Sequence, residues 1–298
     1  MTEMHDDAHG EPEFEVIGEE LAPEPVEIVV PHSGDRPVIA LMGEFSAGKS
    51  TLTNLLIGAE ALPVNITATQ LPPVWISKGE DSPFRVALDG SEYDVDFSDL
   101  SDIVVAENSH ICVSHDAEIL DLCDIIDMPG ISDPNMDAEV WQRMIHHADA
   151  VLWCTHATQA WRQSEAAVWS TLPKELYAKS FMLLTRMDKI LSDRDQMRVV
   201  RRVGKETEGM FRELFPISLT RAIAAGDDAE KWAASGAEDF YAGLIQLLAE
   251  ISEEKRAARE AKEAADNPVA PVMPSRVKPK PLRARSRPQA RPEPLPPL

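Results

Sequence analysis

The chain has 298 residues, 44% of them hydrophobic, and a formal net charge of −22. That is enough apolar content for a sizeable core in one large or two small domains, and it argues against a fibre or a membrane protein. No apolar run approaches the ~18–20 residues that span a bilayer. The acidic start, MTEMHDDAHGEPEFE, lacks the basic-then-apolar pattern of an export signal, so a cytoplasmic location is expected. The three cysteines, Cys112, Cys123 and Cys154, form no C-x-x-C pair and read as reduced, buried thiols.

Residues 1–35 hold eleven Asp or Glu and no Lys or Arg, too polar to fold alone, and disorder is expected there. Val38–Met42 then reads as a short buried strand. Gly43-Glu44-Phe45-Ser46-Ala47-Gly48-Lys49-Ser50 follows and meets G-x-x-x-x-G-K-[ST] at every fixed position. A helix through Ser50, Thr51 and Leu56 completes the strand–loop–helix setting, in which backbone N–H groups and a helix N-terminus surround nucleotide phosphates. Gly43 and Gly48 allow turns and close approaches that a Cβ obstructs. Lys49 reaches the β- and γ-phosphates, and the Ser50 hydroxyl is a Mg²⁺ ligand. In the following loop, Leu62–Pro73, Thr67 and Thr69 are the candidates to coordinate Mg²⁺ and sense the γ-phosphate.

Val74–Ser77 reads as a strand, and Phe84–Leu88 and Tyr93–Phe97 alternate about the hairpin signal Asp89-Gly90. His110 and His115 flank Cys112 closely enough to raise a metal site, but strand-edge histidines and a core cysteine explain them. An apolar stretch from Ala117 to Ile126 leads into Asp127-Met128-Pro129-Gly130. There a carboxylate can hold Mg²⁺ through a water, and the Gly130 N–H can bind the γ-phosphate. A helix over Met136–His147, a strand over Ala150–Thr155 and a helix over Ser164–Leu172 continue the alternation. They are followed by a strand over Phe181–Thr185 and a helix over Asp193–Phe211.

Thr185-Arg186-Met187-Asp188 ends one of those strands. Its Asp can accept from the N1–H and exocyclic amine of guanine, which adenine does not offer; the other role open to Asp188 is helix N-capping. Pro216–Leu219 ends the last strand, with Ser218 a backbone contact for the base. Trp153, Trp161 and Trp169, around Arg162-Gln163, read as helix-on-sheet packing, with a dimer contact surface as the alternative. A last helix over Glu238–Ala265 aligns Phe240, Tyr241, Leu244, Ile245, Leu248 and Ile251 on one face. Residues 267–298 hold ten prolines and seven Lys or Arg against one acid, which again implies disorder. That tail is open to anionic lipid, nucleic acid, a proline-reading domain, the acidic N-terminus or simple solvation. The body between the tails keeps 22 basic and 39 acidic residues, which disfavours nucleic acid as its target.

GEFSAGKSTLTNLLIG, LPVNITATQLPP, DMPG and TRMD together resemble the GTPase domain of the dynamin superfamily, its bacterial members especially, over residues 36–250. The resemblance implies GTP binding and hydrolysis with Mg²⁺, stimulation by dimerisation across nucleotide faces, and coupling to membrane work. Aligned on Leu62-Pro63, it puts the magnesium-binding threonine of the first switch at Thr69, and Ser46 matches the family's loop serine. Three departures stand out. Phe45 occupies the position of the catalytic glutamine of animal dynamins, and Ile131 supplies none either. Arg186 replaces the usual lysine. One helix follows where the family continues into a long stalk.

The expected fold is therefore α/β: a P-loop NTPase domain with a mainly parallel sheet and helices on both faces. Its boundaries are an acidic segment 1–35, a dynamin-like GTPase domain 36–236, a helix 237–266 and a basic tail 267–298. The expected function is Mg²⁺-dependent hydrolysis of GTP. Lys49, Ser46 and Thr69 are assigned to catalysis, and Ser50, Thr69 and Asp127 to the metal. Nucleotide contacts are assigned to Gly43, Glu44, Phe45, Ser46, Ala47, Gly48, Lys49, Ser50, Thr51, Gly130, Thr185, Arg186, Asp188 and Ser218. The expected partner is a second copy or a stalk-bearing subunit, with weak anionic-membrane contact through the tail placing the protein at the inner membrane face. The alternatives are a switch module with little hydrolysis, which Phe45 and Ile131 favour, and a ribosome-assembly or translation-type GTPase, which the acidic body disfavours.

Overall fold

The computed structural model describes residues 36–58, 71–96, 103–132 and 138–266. The chain alternates strand and helix because apolar runs of strand length recur between amphipathic ones. β1 (Val38–Gly43) is buried along its whole length. Ile39 and Leu41 face one apolar layer, while Val38, Ala40 and Met42 face the other, as a period of two requires. α1 (Lys49–Ile57) ends at Gly58, whose left-handed φ of 74° lets its N–H reach the Asn54 carbonyl.

Nine strands form one sheet in the order β4-β3-β5-β2-β6-β1-β7-β8-β9. They are β2 (Val74–Lys78), β3 (Phe84–Ala87), β4 (Glu92–Asp94), β5 (Asn108–His115), β6 (Asp124–Asp127), β7 (Ala150–His156), β8 (Phe181–Thr185) and β9 (Glu213–Pro216). β6, β1, β7, β8 and β9 run parallel. β2 is antiparallel to β6 and parallel to β5, and the β3–β4 hairpin closes the far edge. Asp89-Gly90 forms the hairpin turn as expected, with Gly90 at φ 84°.

Helices cover both faces. α1, α5 (Leu219–Ala225) and α7 (Ala237–Asp266) bury Leu52, Leu219, Phe240 and Leu244 in one layer. α2 (Ala138–Ile145), α3 (Gln163–Thr171) and α4 (Asp193–Glu206) bury Trp141, Trp169 and Val203 in the other. α6 (Ala229–Ala234) lies between α5 and α7 in the chain. The expected apolar face of α7 is present: Phe240, Leu244, Leu248 and Ile251 are buried together with Leu247, and Tyr241 and Ile245 are partly buried against them.

Two element readings are corrected. α4 stops at Glu206 rather than at Phe211. Gly209 turns left-handed at φ 76°, and the chain bends back so that Phe211 stacks on Trp169 with ring centroids 4.0 Å apart. β5 is a strand inside the sheet that the chain-order reading of elements does not include, and His110, Cys112 and His115 all belong to it. Residues 36–256 form one compact unit; residues 257–266 begin a second, a helical stretch with an Arg259–Glu263 ion pair along its surface.

Candidate functional site

The carboxyl ends of β1, β6 and β8 converge on the loop between β1 and α1, as expected for an α/β sheet. Gly43 leaves β1 at φ 137°, and a Cβ on it would lie 2.0 Å from the Cys154 carbonyl oxygen, so glycine is required there. Ser46 at φ 59° and Gly48 at φ 103° continue the left-handed turns. Left-handed residues alternating with ordinary ones can turn N–H groups to one side and make an anion-binding concavity.

Lys49 folds back over the loop, its Nζ donating to the carbonyls of Gly43 at 3.0 Å and Glu44 at 2.9 Å. Burial lowers its pKa, and nearby Asp127 opposes that shift most strongly. Asp127, at the end of β6, has its carboxyl pushed up to about 6 by burial, against the pull of Lys49 and a hydrogen bond from Thr53. Thr53 is a site residue that the sequence reading lacks. Its hydroxyl donates to Asp127 Oδ2 at 3.2 Å and to the Lys49 carbonyl at 3.2 Å. The available signal was a polar residue four positions after Lys49, hence on the same helix face.

The segment after β6 lies against the loop. The Ile131 N–H donates to the Gly43 carbonyl at 3.2 Å, and a Cβ on Gly130 would approach Phe45 Cα to 2.9 Å. The Phe45 N–H donates to Ser132 Oγ at 3.2 Å, and Phe45 is 65% exposed. The end of β8 is tied to the same loop. Thr185 Oγ1 donates to the Ala47 carbonyl at 2.7 Å, and Arg186, itself left-handed at φ 56°, donates through Nη2 to the Ser46 carbonyl at 3.0 Å.

Beside this loop opens a cleft of about 300 Å³, lined by Gly48, Thr51, Thr185, Arg186, Asp188 and Leu219 among others. Asp188 Oδ1 accepts from Ser218 Oγ at 2.7 Å. Partial burial pushes the Asp188 pKa up, but the Ser218 hydroxyl, its own backbone and the cations Lys189 and Arg221 outweigh it and hold the carboxyl below its ordinary value. Ser218 thus acts through its side chain on Asp188, a contact absent from the sequence reading.

Gly43 through Thr51, Asp127, Gly130, Thr185, Arg186, Asp188 and Ser218 are therefore brought to the carboxyl end of the sheet. Thr67 and Thr69 lie outside the described residues. The tryptophan cluster is core: Trp153 and Trp169 are buried with ring centroids 5.5 Å apart, and Trp161 packs edge-on against Trp153. His110 is wholly buried, and burial takes its pKa down to about 4. Burial likewise pushes the Cys112 thiol up.

The model of the dynamin family matches residues 39–187, half of the chain. A curated relative, dynamin-like protein 2 of Campylobacter jejuni subsp. jejuni serotype O:23/36 (strain 81-176), is 24% identical over 230 residues, covering 74% of this chain and 37% of its own. Two solved chains, described as an oligomerised bacterial dynamin pair for long-range sensing and tethering of membranes, share the fold. One has a TM-score of 0.58 at 18% identity over 78% of this chain and 44% of its own. The other has a TM-score of 0.52 at 17% identity, over 78% and 37%. The chain thus spans under half the length of each of these relatives.

Proposed function

We propose that this chain, which belongs to the dynamin family, binds GTP with Mg²⁺ at the β1–α1 loop and hydrolyses it to GDP and phosphate. One observation carries this reading: Lys49 at the start of α1, Asp127 at the end of β6 and Asp188 just beyond β8 come together around one loop and cleft. The loop N–H groups other than those of Phe45 and Ala47, which donate to Ser132 Oγ and the Glu44 carbonyl, form the phosphate cradle with the Lys49 ammonium. On binding, Lys49 exchanges its two carbonyl acceptors for phosphate oxygens. Asp188, steadied by Ser218, accepts from the guanine edge, and Thr185 and Arg186 hold the base pocket onto the loop.

The donors fit Mg²⁺, since the Ser50 hydroxyl and the Asp127 carboxylate are hard oxygens. Asp127's raised pKa reflects a buried charge that an adjacent cation would satisfy. When bound, the ion would neutralise charge on the phosphate oxygens. Gly130 and Thr69 are assigned to sensing the γ-phosphate. The Ser46 hydroxyl is assigned to orienting the attacking water, because Phe45 and Ile131 supply no carboxamide. That same observation favours a second reading, a switch that hydrolyses little and acts through its GTP-bound form.

Assembly belongs to the proposal. The fold shared with an oligomerised dynamin pair supports a homodimer or a complex with a stalk-bearing dynamin, working at the inner face of a membrane. Among the described residues no helix is long and apolar enough to cross one. Turnover of GTP measured against protein concentration, with and without anionic liposomes and with Lys49→Ala as the blank, tests the reading. Specific activity that rises with concentration or lipid supports the assembling enzyme. Flat, near-zero turnover with tight GTP binding supports the switch.

A further inference from the structure

Glu44 is a carboxylate inside a loop whose proposed ligand carries three to four negative charges. Left bare, it would repel that ligand across a partly dehydrated cleft. Instead both its oxygens are occupied, and its side chain is only 12% exposed. Oε2 accepts from Arg162 Nη1 at 3.0 Å, and Oε1 accepts from Ser164 Oγ at 2.5 Å.

Both donors sit at the start of α3, and that start is itself anchored from below. Glu165, 1% exposed, accepts from Trp153 Nε1 and Thr155 Oγ1 at 3.1 Å each and from the Arg162 N–H at 2.9 Å. Trp161, at φ 60°, turns the chain into this arrangement. The Thr155 carbonyl in turn accepts from Thr185 Oγ1, the hydroxyl that also holds Ala47. A buried carboxylate thus fixes Arg162, and Arg162 fixes a second carboxylate in the phosphate loop.

We propose that Arg162 and Ser164 are positioning residues of the phosphate loop: they hold Glu44 against the start of α3 and cancel its charge, keeping the cradle electropositive toward polyphosphate. This rests on the nucleotide reading above. Neither residue touches the ligand; both act through Glu44. The ligand class the pair tunes for is the polyphosphate of a nucleotide, so its effect scales with phosphate charge rather than with the base.

The test is binding of GTP, GDP and GMP to the full chain at low and high salt, by competition against a fluorescent GDP, with thermal melting as the fold control. The variants are Arg162→Gln, Glu44→Gln, the double variant and Ser164→Ala. Arg162→Gln is expected to weaken GTP about tenfold, GDP less and GMP least, with the loss shrinking at high salt. Glu44→Gln in that background should return GTP affinity to within about twofold of wild type, because the offending charge is gone. Ser164→Ala should cost less, with no dependence on salt. A loss equal for all three nucleotides that persists in the double variant, or no loss at all, overturns the proposal. Should Arg162→Gln not fold, Arg162→Lys, which keeps the positive charge beside Glu44, decides: it should retain GTP affinity better at low salt than at high salt, and a loss indifferent to salt overturns the proposal. Wild-type protein that binds no GTP overturns the nucleotide reading first, and the assignment of Arg162 and Ser164 falls with it.

Discussion

In the proposed reading, Asp188 is the residue on which the choice of base turns. Its Oδ1 is clasped by the Ser218 hydroxyl at 2.7 Å, so the carboxylate is held as an acceptor pair facing the cleft. Asp188→Asn would set an amide N–H against a guanine donor. GTP affinity should fall at least about a hundredfold, while xanthosine triphosphate, which presents a carbonyl where guanine has its amine, should gain. Competition binding reads both, and unchanged GTP affinity contradicts the assignment. His110 makes a second residue-scale expectation. Its folded pKa of about 4 lies below the ordinary 6.5, so the unfolded chain binds more protons between those values. Stability is therefore lost as pH falls through that window, by up to about 3 kcal/mol at pH 4. Asp127 has the opposite sign: with its pKa raised to about 6, the folded chain gains stability as pH falls from 6 toward 4. Thermal melts at pH 7 and pH 5 should show a smaller acid loss in His110→Gln than in wild type, and a larger one in Asp127→Asn. The groups with motif chemistry were legible in the sequence because their spacing already specifies the backbone that presents them. Thr53 with Asp127, and Glu44 with Arg162 and Ser164, were not: these partners lie 74, 118 and 120 residues apart, and only the strand order joins them.

At the scale of elements, the phosphate loop depends on Gly43, which no other residue can replace. Gly43→Ala would drive a Cβ to within 2.0 Å of a backbone oxygen at a positive φ, which neither side can relieve. Loss of several kcal/mol, or of soluble protein altogether, is expected from denaturation and expression measurements; an alanine variant of wild-type stability would contradict the loop geometry. Strands such as β1, β7 and β8 were legible because each is a short continuous apolar run. β5 was not, because it buries Asn108, Ser109 and His110 among its apolar residues and so breaks the hydrophobic pattern. α5 and α6, of seven and six residues, are too short for a helical period to register. The overlong reading of α4 had the same root, since the amphipathic pattern runs on to Phe211 while Gly209 turns the backbone away.

For the whole molecule, α7 through Ile251 is part of the fold and not an appendage. Phe240, Leu244, Leu247, Leu248 and Ile251 are buried in the layer beneath the sheet. At roughly 1.5–3 kcal/mol for each such side chain, their combined burial is comparable to the ~5–15 kcal/mol that stabilises a domain. A chain ending at residue 236 should therefore fail to fold, whereas one ending at residue 256 should melt near wild type by circular dichroism. The proposed function rests on the carboxyl end of this sheet, and binding is its most direct test. Fluorescent GDP titrated into the full chain with Mg²⁺ should bind saturably and be displaced by GTP but not by ATP, and Lys49→Ala should abolish the signal. Displacement by ATP as effective as by GTP, or binding that survives Lys49→Ala, would contradict the assignment of this site to guanine nucleotide.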